Sequence, residues 1–121
     1  MPTNIQEYLS YHQHKSAKER EEINKRYAEI EKIIPIIKDI LIKHGAKKII
    51  LFGSFVEKKL HMESDLDIAE YGVPDRLFFK VYDELCDISK DIRIDLTDIN
   101  ETKGYFRERI LQGKVIYNAE K

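Results

Sequence analysis

Two aspartates one residue apart, Asp65-Leu66-Asp67, and a third within Arg93-Ile94-Asp95-Leu96-Thr97 are the side chains of this sequence best suited to chemistry. On a β-strand, alternate residues project from one face, so Asp65 and Asp67 would lie side by side. Two carboxylates so placed repel one another, and removal of water makes the repulsion worse. Such a pair is tolerated where the face is open to water or where a cation sits between the charges. In the segment around Asp95 the apolar Ile94 and Leu96 face one way and Asp95 the other. If that strand lies beside the first with matching faces, three carboxylates converge. Hard oxygen donors of this kind suit Mg²⁺, which usually takes a few carboxylates together with waters and substrate phosphates. Three acids and a triphosphate can hold two such ions, the arrangement that aligns attacking and leaving oxygens for in-line displacement. Asp65, Asp67 and Asp95 are therefore the candidate metal-binding and catalytic residues.

A phosphate-binding element stands just ahead of them. The apolar run Ile49-Ile50-Leu51-Phe52 ends abruptly in Gly53-Ser54, followed by Phe55-Val56-Glu57-Lys58. That pattern predicts a strand entering a tight turn that opens a helix. Outward-pointing N–H groups at such a turn bind phosphate, and glycine lets the backbone come close. Ser54 adds a hydroxyl donor. Alone the dipeptide is an ordinary turn; joined to Asp-x-Asp and a third strand acid, it becomes specific.

The elements that must position these residues follow from periodicity. Residues 1–15 read as a short helix or loose arm, and Ser16-Ala17-Lys18-Glu19 matches a capping box that would start a helix there. Ile23, Tyr27, Ile30, Ile34, Ile37 and Leu41 then form one apolar stripe at helical spacing. Pro35 falls within it, so a helix on each side with a bend between is expected. His44-Gly45 ends the second segment. The stripe ahead of Pro35 suits either packing on the protein's own surface or a seam for a second copy or partner.

Lys48–Phe52 is the first strand and Asp65–Ala69 the second. A helix opening at Pro74 has Leu77, Phe78, Val81, Leu85 and Ile88 on its inner side, and a third strand spans Ile92–Thr97. A last helix over about Thr102–Gln112 stops at Gly113, before the short strand Val115-Ile116-Tyr117. The expected fold is α/β (α+β), a small mixed sheet of about four strands with helices packed on it. Residues 1–35 would be an N-terminal helical extension and 36–121 the functional domain.

Composition bounds the alternatives. One domain with one modest core fits the length, 42% of residues are apolar and 36% charged, and the net charge is −1. So balanced a charge gives no strong nucleic-acid signal. The acidic excess falls in the half that holds the candidate site. Cys86 is the lone cysteine; its place after Leu85 in an apolar helix predicts core packing. With no disulfide possible and no apolar run long enough to cross a membrane, a cytoplasmic setting is expected.

Leu51-Phe52-Gly53-Ser54, followed by Ser64-Asp65-Leu66-Asp67-Ile68, resembles the signature of the DNA polymerase β-type nucleotidyltransferases. More narrowly it resembles the minimal nucleotidyltransferases of prokaryotes. The resemblance spans about residues 36–117, including Arg107-Glu108-Arg109-Ile110-Leu111-Gln112-Gly113-Lys114-Val115-Ile116-Tyr117, which is similar to that group's usual ending. It implies a polymerase β-type nucleotidyltransferase fold, with Gly53, Ser54 and Ser64 at the nucleotide and Asp65 and Asp67 at two Mg²⁺ ions. Asp95 would help to activate the acceptor hydroxyl. It further implies transfer of AMP from ATP to a tyrosine of a HEPN-domain toxin, the chain acting as antitoxin of a toxin-antitoxin pair. The alternative is a catalytically inactive binding module that silences its partner by complex formation. In one place the sequence departs from the group: small and basic residues with a further glycine usually follow Gly-Ser, whereas here Phe55-Val56-Glu57-Lys58-Lys59 stands. Glu57 brings negative charge to the place where phosphate would lie, and Lys58 or Lys59 would have to compensate it.

Overall fold

A computed structural model describes residues 5–61, 65–89 and 91–120, with only the backbone described for 5–16. The chain begins with helix α1 (Ile5–Lys43), then strands β1 (Lys48–Phe52) and β2 (Leu66–Tyr71) and helix α2 (Asp75–Ser89). Strand β3 (Ile94–Asp98), a 3-10 turn over Ile99–Glu101, helix α3 (Gly104–Leu111) and strand β4 (Lys114–Asn118) complete it. The strands form one mixed sheet in the order β3-β2-β1-β4. β1 pairs antiparallel with both β2 and β4, while β2 and β3 run parallel.

The two faces of the sheet are covered differently, as the period-two pattern of each strand requires. Ile49, Leu51, Leu66, Ile68, Ile94 and Leu96 join Ile30, Ile37 and Leu41 of α1 and Val81 and Leu85 of α2 in the main core. On the opposite face Ile50, Phe52 and Ala69 pack with Ile99 and with Ile110 of α3. This second layer is small; Asp67 lies on the same face, half-buried beside it, and Asp95 next to Asp67 is exposed.

Several local expectations give way to longer-range packing. The capping pattern at Ser16 starts nothing, because α1 is already helical from Ile5. A cap is worth about 1 kcal/mol, less than an uninterrupted run of helix-forming residues on both sides. Pro35 does not divide α1 into two elements either. Pro35 and Glu31, whose carbonyl loses its N–H partner, both lie on the exposed side, where water can satisfy that oxygen. The stripe ahead of Pro35 packs on the protein's own core: Ile30 is fully buried, with Ile23 and Tyr27 half-buried against the same cluster. Cys86 is exposed rather than in the core. Leu85 faces inward with Val81 and Ser89, and the next residue around a helix points about 100° away. Burial, with Asp83 and Asp87 beside it, pushes the Cys86 thiol up, away from the reactive thiolate.

Candidate functional site

The site forms where β1 ends and β2 and β3 begin. β1 breaks at Gly53, whose φ of +81° lies in the left-handed region. A Cβ there would overlap the Asp67 carboxylate. Both facts demand glycine, and the second sets the Gly53 backbone directly against an acidic side chain. Gly53→Ala should lower stability by about 1–2 kcal/mol, from the left-handed conformation and the displaced Asp67 side chain. An unchanged urea midpoint would contradict this account of the turn.

Beyond Gly53 the expected helix does not develop. The Glu57 N–H donates to the Gly53 carbonyl (3.0 Å) and the Lys59 N–H to the Ser54 carbonyl (2.8 Å), making one helix-like turn. It closes at Lys58, whose φ of 59° stops further winding. The leading N–H groups of such a turn face away from it, toward an incoming anion. The departure at Phe55 has a structural explanation. Its ring lies 5.5 Å from that of Tyr27 on α1, and the Tyr27 hydroxyl accepts the Leu60 N–H at 3.1 Å. One residue of α1 thus holds both ends of the loop that follows Gly53-Ser54.

Asp67 and Asp95 are register partners across the parallel β2–β3 pair. Adjacent strands in register put both carboxylates on one face, as the alternation in each strand predicts. The Tyr82 hydroxyl donates to the Ile94 carbonyl at 2.9 Å, fixing the start of β3 beside Asp95. Burial, then the Asp95 and Asp65 charges, push the Asp67 carboxyl up to about 6, and Arg109 opposes them. Asp65 stands just ahead of β2 rather than within it, with Oδ1 3.7 Å from Arg93 Nε. Among the described residues no three His, Cys, Asp or Glu side chains already form a metal-holding group. Asp67 and Asp95 face one another across the strands, with Asp65 just ahead of Leu66. Ser54 is half-buried beside the turn, whereas Ser64 lies outside the described residues.

The donor set suits a hard divalent cation. All three candidate ligands are carboxylates, and crowding and partial burial make the Asp67 charge costly in a way that a neighbouring cation would relieve. Sequence reasoning missed Arg109 as a member of this site. It lies on α3, more than forty residues beyond Asp67, and its Nη2 is 4.0 Å from Glu57 Oε2 at the end of the Gly53 turn. Its signal was its place in the ending Arg107–Tyr117, noted only as a family feature.

Comparison with known proteins agrees with this geometry. Residues 31–121 match the family described as "Polymerase beta, Nucleotidyltransferase". The chain is 34% identical over 97 residues to MJ0128 of Methanocaldococcus jannaschii, named as a proposed protein adenylyltransferase, covering 71% of this chain and 98% of that one. Among solved structures, one described as a candidate minimal nucleotidyltransferase superposes with a TM-score of 0.62 at 19% identity, over 74% of this chain and 93% of the other. A toxin-antitoxin structure with AMP-PNP gives 0.58 at 24% identity, over 68% and 70%. A complex of tri-AMPylated HEPN toxin with its MNT antitoxin, from Shewanella oneidensis, gives 0.52 at 22% identity, over 77% and 72%. At these identities the structural matches speak for the fold. Sheet order, the Gly-Ser turn, the facing aspartates and the matched family agree: the chain belongs to the polymerase beta nucleotidyltransferase family and is a nucleotidyltransferase.

Proposed function

We propose that the chain is a protein adenylyltransferase that moves AMP from ATP to a tyrosine hydroxyl of a HEPN-domain toxin, and so serves as the antitoxin of a toxin-antitoxin pair. The observation that carries this reading is the register pairing of Asp67 with Asp95, against the Gly53-Ser54 turn. The similarity to MJ0128, and a fold shared with antitoxins solved in complex with HEPN toxins, support the acceptor class. In this reading residues 36–121 are the catalytic unit and 1–35 an extension of it.

Each residue then has a physical task. The turn at Gly53-Ser54 receives the phosphates through outward N–H groups and the Ser54 hydroxyl. Asp65, Asp67 and Asp95 would hold Mg²⁺, which when bound supplies charge neutralisation for the phosphates and the departing pyrophosphate. Asp95, on the open side of the pair, accepts the proton of the acceptor hydroxyl as its oxygen bonds to the α-phosphorus and the bond to pyrophosphate breaks. Most of the catalysis in such transfers is positioning and charge stabilisation, so a small domain can suffice. The acceptor protein supplies its own recognition surface.

Incubation with α-labelled ATP, Mg²⁺ and a HEPN-domain toxin from the same organism should label that protein on tyrosine, with a mass gain of one AMP. No label, with the toxin nonetheless silenced by a tight complex that ignores ATP, would replace this reading with the inactive binding module.

A further inference from the structure

We propose that Arg109 is a triphosphate-binding residue of this site and that Glu57 is its resting partner, displaced when nucleotide arrives; this rests on the adenylyltransferase reading above. Helix α3 is pinned along β1 at two points, and the turn that follows it at a third. The Phe106 ring meets Phe52 edge-on at 5.9 Å, and Ile110 is fully buried in the second core layer. Gly113 lies so close to the Leu51 carbonyl that a Cβ has no room. Arg109 therefore projects from a rigid support, and its guanidinium reaches the end of the Gly53 turn, 4.0 Å from the Glu57 carboxylate. It also stands near enough to Asp67 to counter part of the charge crowding there.

Asp65, Asp67, Asp95 and Glu57 surround a place meant for a polyanion. Among the described residues the other cation in contact with these acids is Arg93, 3.7 Å from Asp65 and largely exposed (81%). Lys58 and Lys59 are exposed, on the segment where the turn unwinds. A guanidinium on a fixed helix is the donor best matched to phosphate, through two parallel N–H bonds. Its contact with Glu57 is long, and both side chains are about half exposed (49% and 47%), so the pair is weak and readily exchanged. A triphosphate as a whole carries more negative charge than the single Glu57 carboxylate and offers the guanidinium several oxygens at once. Glu57 thus acts as a stand-in anion that keeps the fork oriented and competes with substrate.

The proposal predicts effects of opposite sign from the two ends of one ion pair. Binding of the β,γ-imido analogue of ATP and of AMP, each with Mg²⁺, would be measured by calorimetry on the full chain. Arg109→Gln should weaken binding of the ATP analogue about tenfold or more, as loss of a charge-assisted contact does, and leave AMP binding unchanged. Glu57→Gln should tighten the ATP analogue several-fold. Equal binding by Arg109→Gln, equal losses for AMP and the ATP analogue, or weakening by Glu57→Gln would each overturn it. Wild-type protein that binds neither nucleotide would instead remove the adenylyltransferase reading on which it depends. Both residues are on the surface, and matching melting temperatures would confirm that the variants fold.

Discussion

Asp67→Asn is expected to reduce nucleotidyl transfer by roughly a thousandfold or more while making the ion-free protein more stable. On the proposed function, the loss of rate follows from removing one of the few charges that would hold the phosphate-neutralising cation, where such electrostatic contributions are large. The gain in stability follows from the same crowding. With its carboxyl pushed up to about 6 from 3.8 by burial, Asp95 and Asp65, Asp67 binds its proton more tightly folded than unfolded. Native stability therefore falls as pH rises from about 4 through about 6, and the full penalty applies at pH 8. Two units at about 1.4 kcal/mol each, discounted for partial exposure, leave about 1–2 kcal/mol to be regained at pH 8. For a domain of this size that is a rise in melting temperature of roughly 4–8 °C. At pH 4, where the carboxyl is protonated folded and about half protonated unfolded, the variant and the parent should differ little. Transfer activity within tenfold of wild type, or a lower melting temperature at pH 8 without Mg²⁺, would contradict the assignment.

A second large effect is expected at Glu70, which has no part in the transfer chemistry. Its side chain is fully buried on the helix-covered face. Oε2 accepts the Val73 N–H at 3.1 Å, and Oε1 has no hydrogen-bond partner. Burial pushes its carboxyl up to about 7, aided by Asp98 and Asp75 and opposed by the Val73 bond. Because the folded protein holds the proton more tightly than the unfolded chain, stability should decline as pH rises from about 4.5 through about 7, with a swing of up to about 3 kcal/mol. Glu70→Gln keeps an acceptor for Val73 and abolishes the charge. It should be more stable than wild type by about 2 kcal/mol at pH 8, the orphaned amide offsetting part of the gain. By pH 4.5 it should have no advantage. Urea denaturation of both proteins at the two pH values decides this, and an advantage independent of pH would show that Glu70 is not the titrating group.

Residue type and local order were enough to recognise several parts of this protein. β1 lies where four consecutive apolar residues end at Gly53-Ser54, and Leu66-Asp67 begins the next strand. The inner side of α2 follows from helical spacing, with Val81 and Leu85 fully buried. These features depend on neighbours within a few positions, where backbone sterics and side-chain period act directly. Glu70 was within reach too: the alternation that carries Leu66 and Ile68 inward places it inside as well, had β2 been drawn past Ala69.

Only the folded chain decided the rest. No local window says that β3 runs parallel to β2 in the register that faces Asp95 toward Asp67. Nor does one say that Tyr27 grips the far side of the Gly53 loop, or that Arg109 reaches Glu57 from α3. The same holds for the unbroken helix through Ser16 and Pro35 and for Cys86 turned to solvent. The β2–β3, Tyr27 and Arg109 contacts are meetings of segments remote in sequence, settled by which pairing buries the most apolar surface while satisfying backbone polar groups. The sequence supplied the reactive groups; tertiary packing determined which of them share a face and which arginine side chains stand beside them.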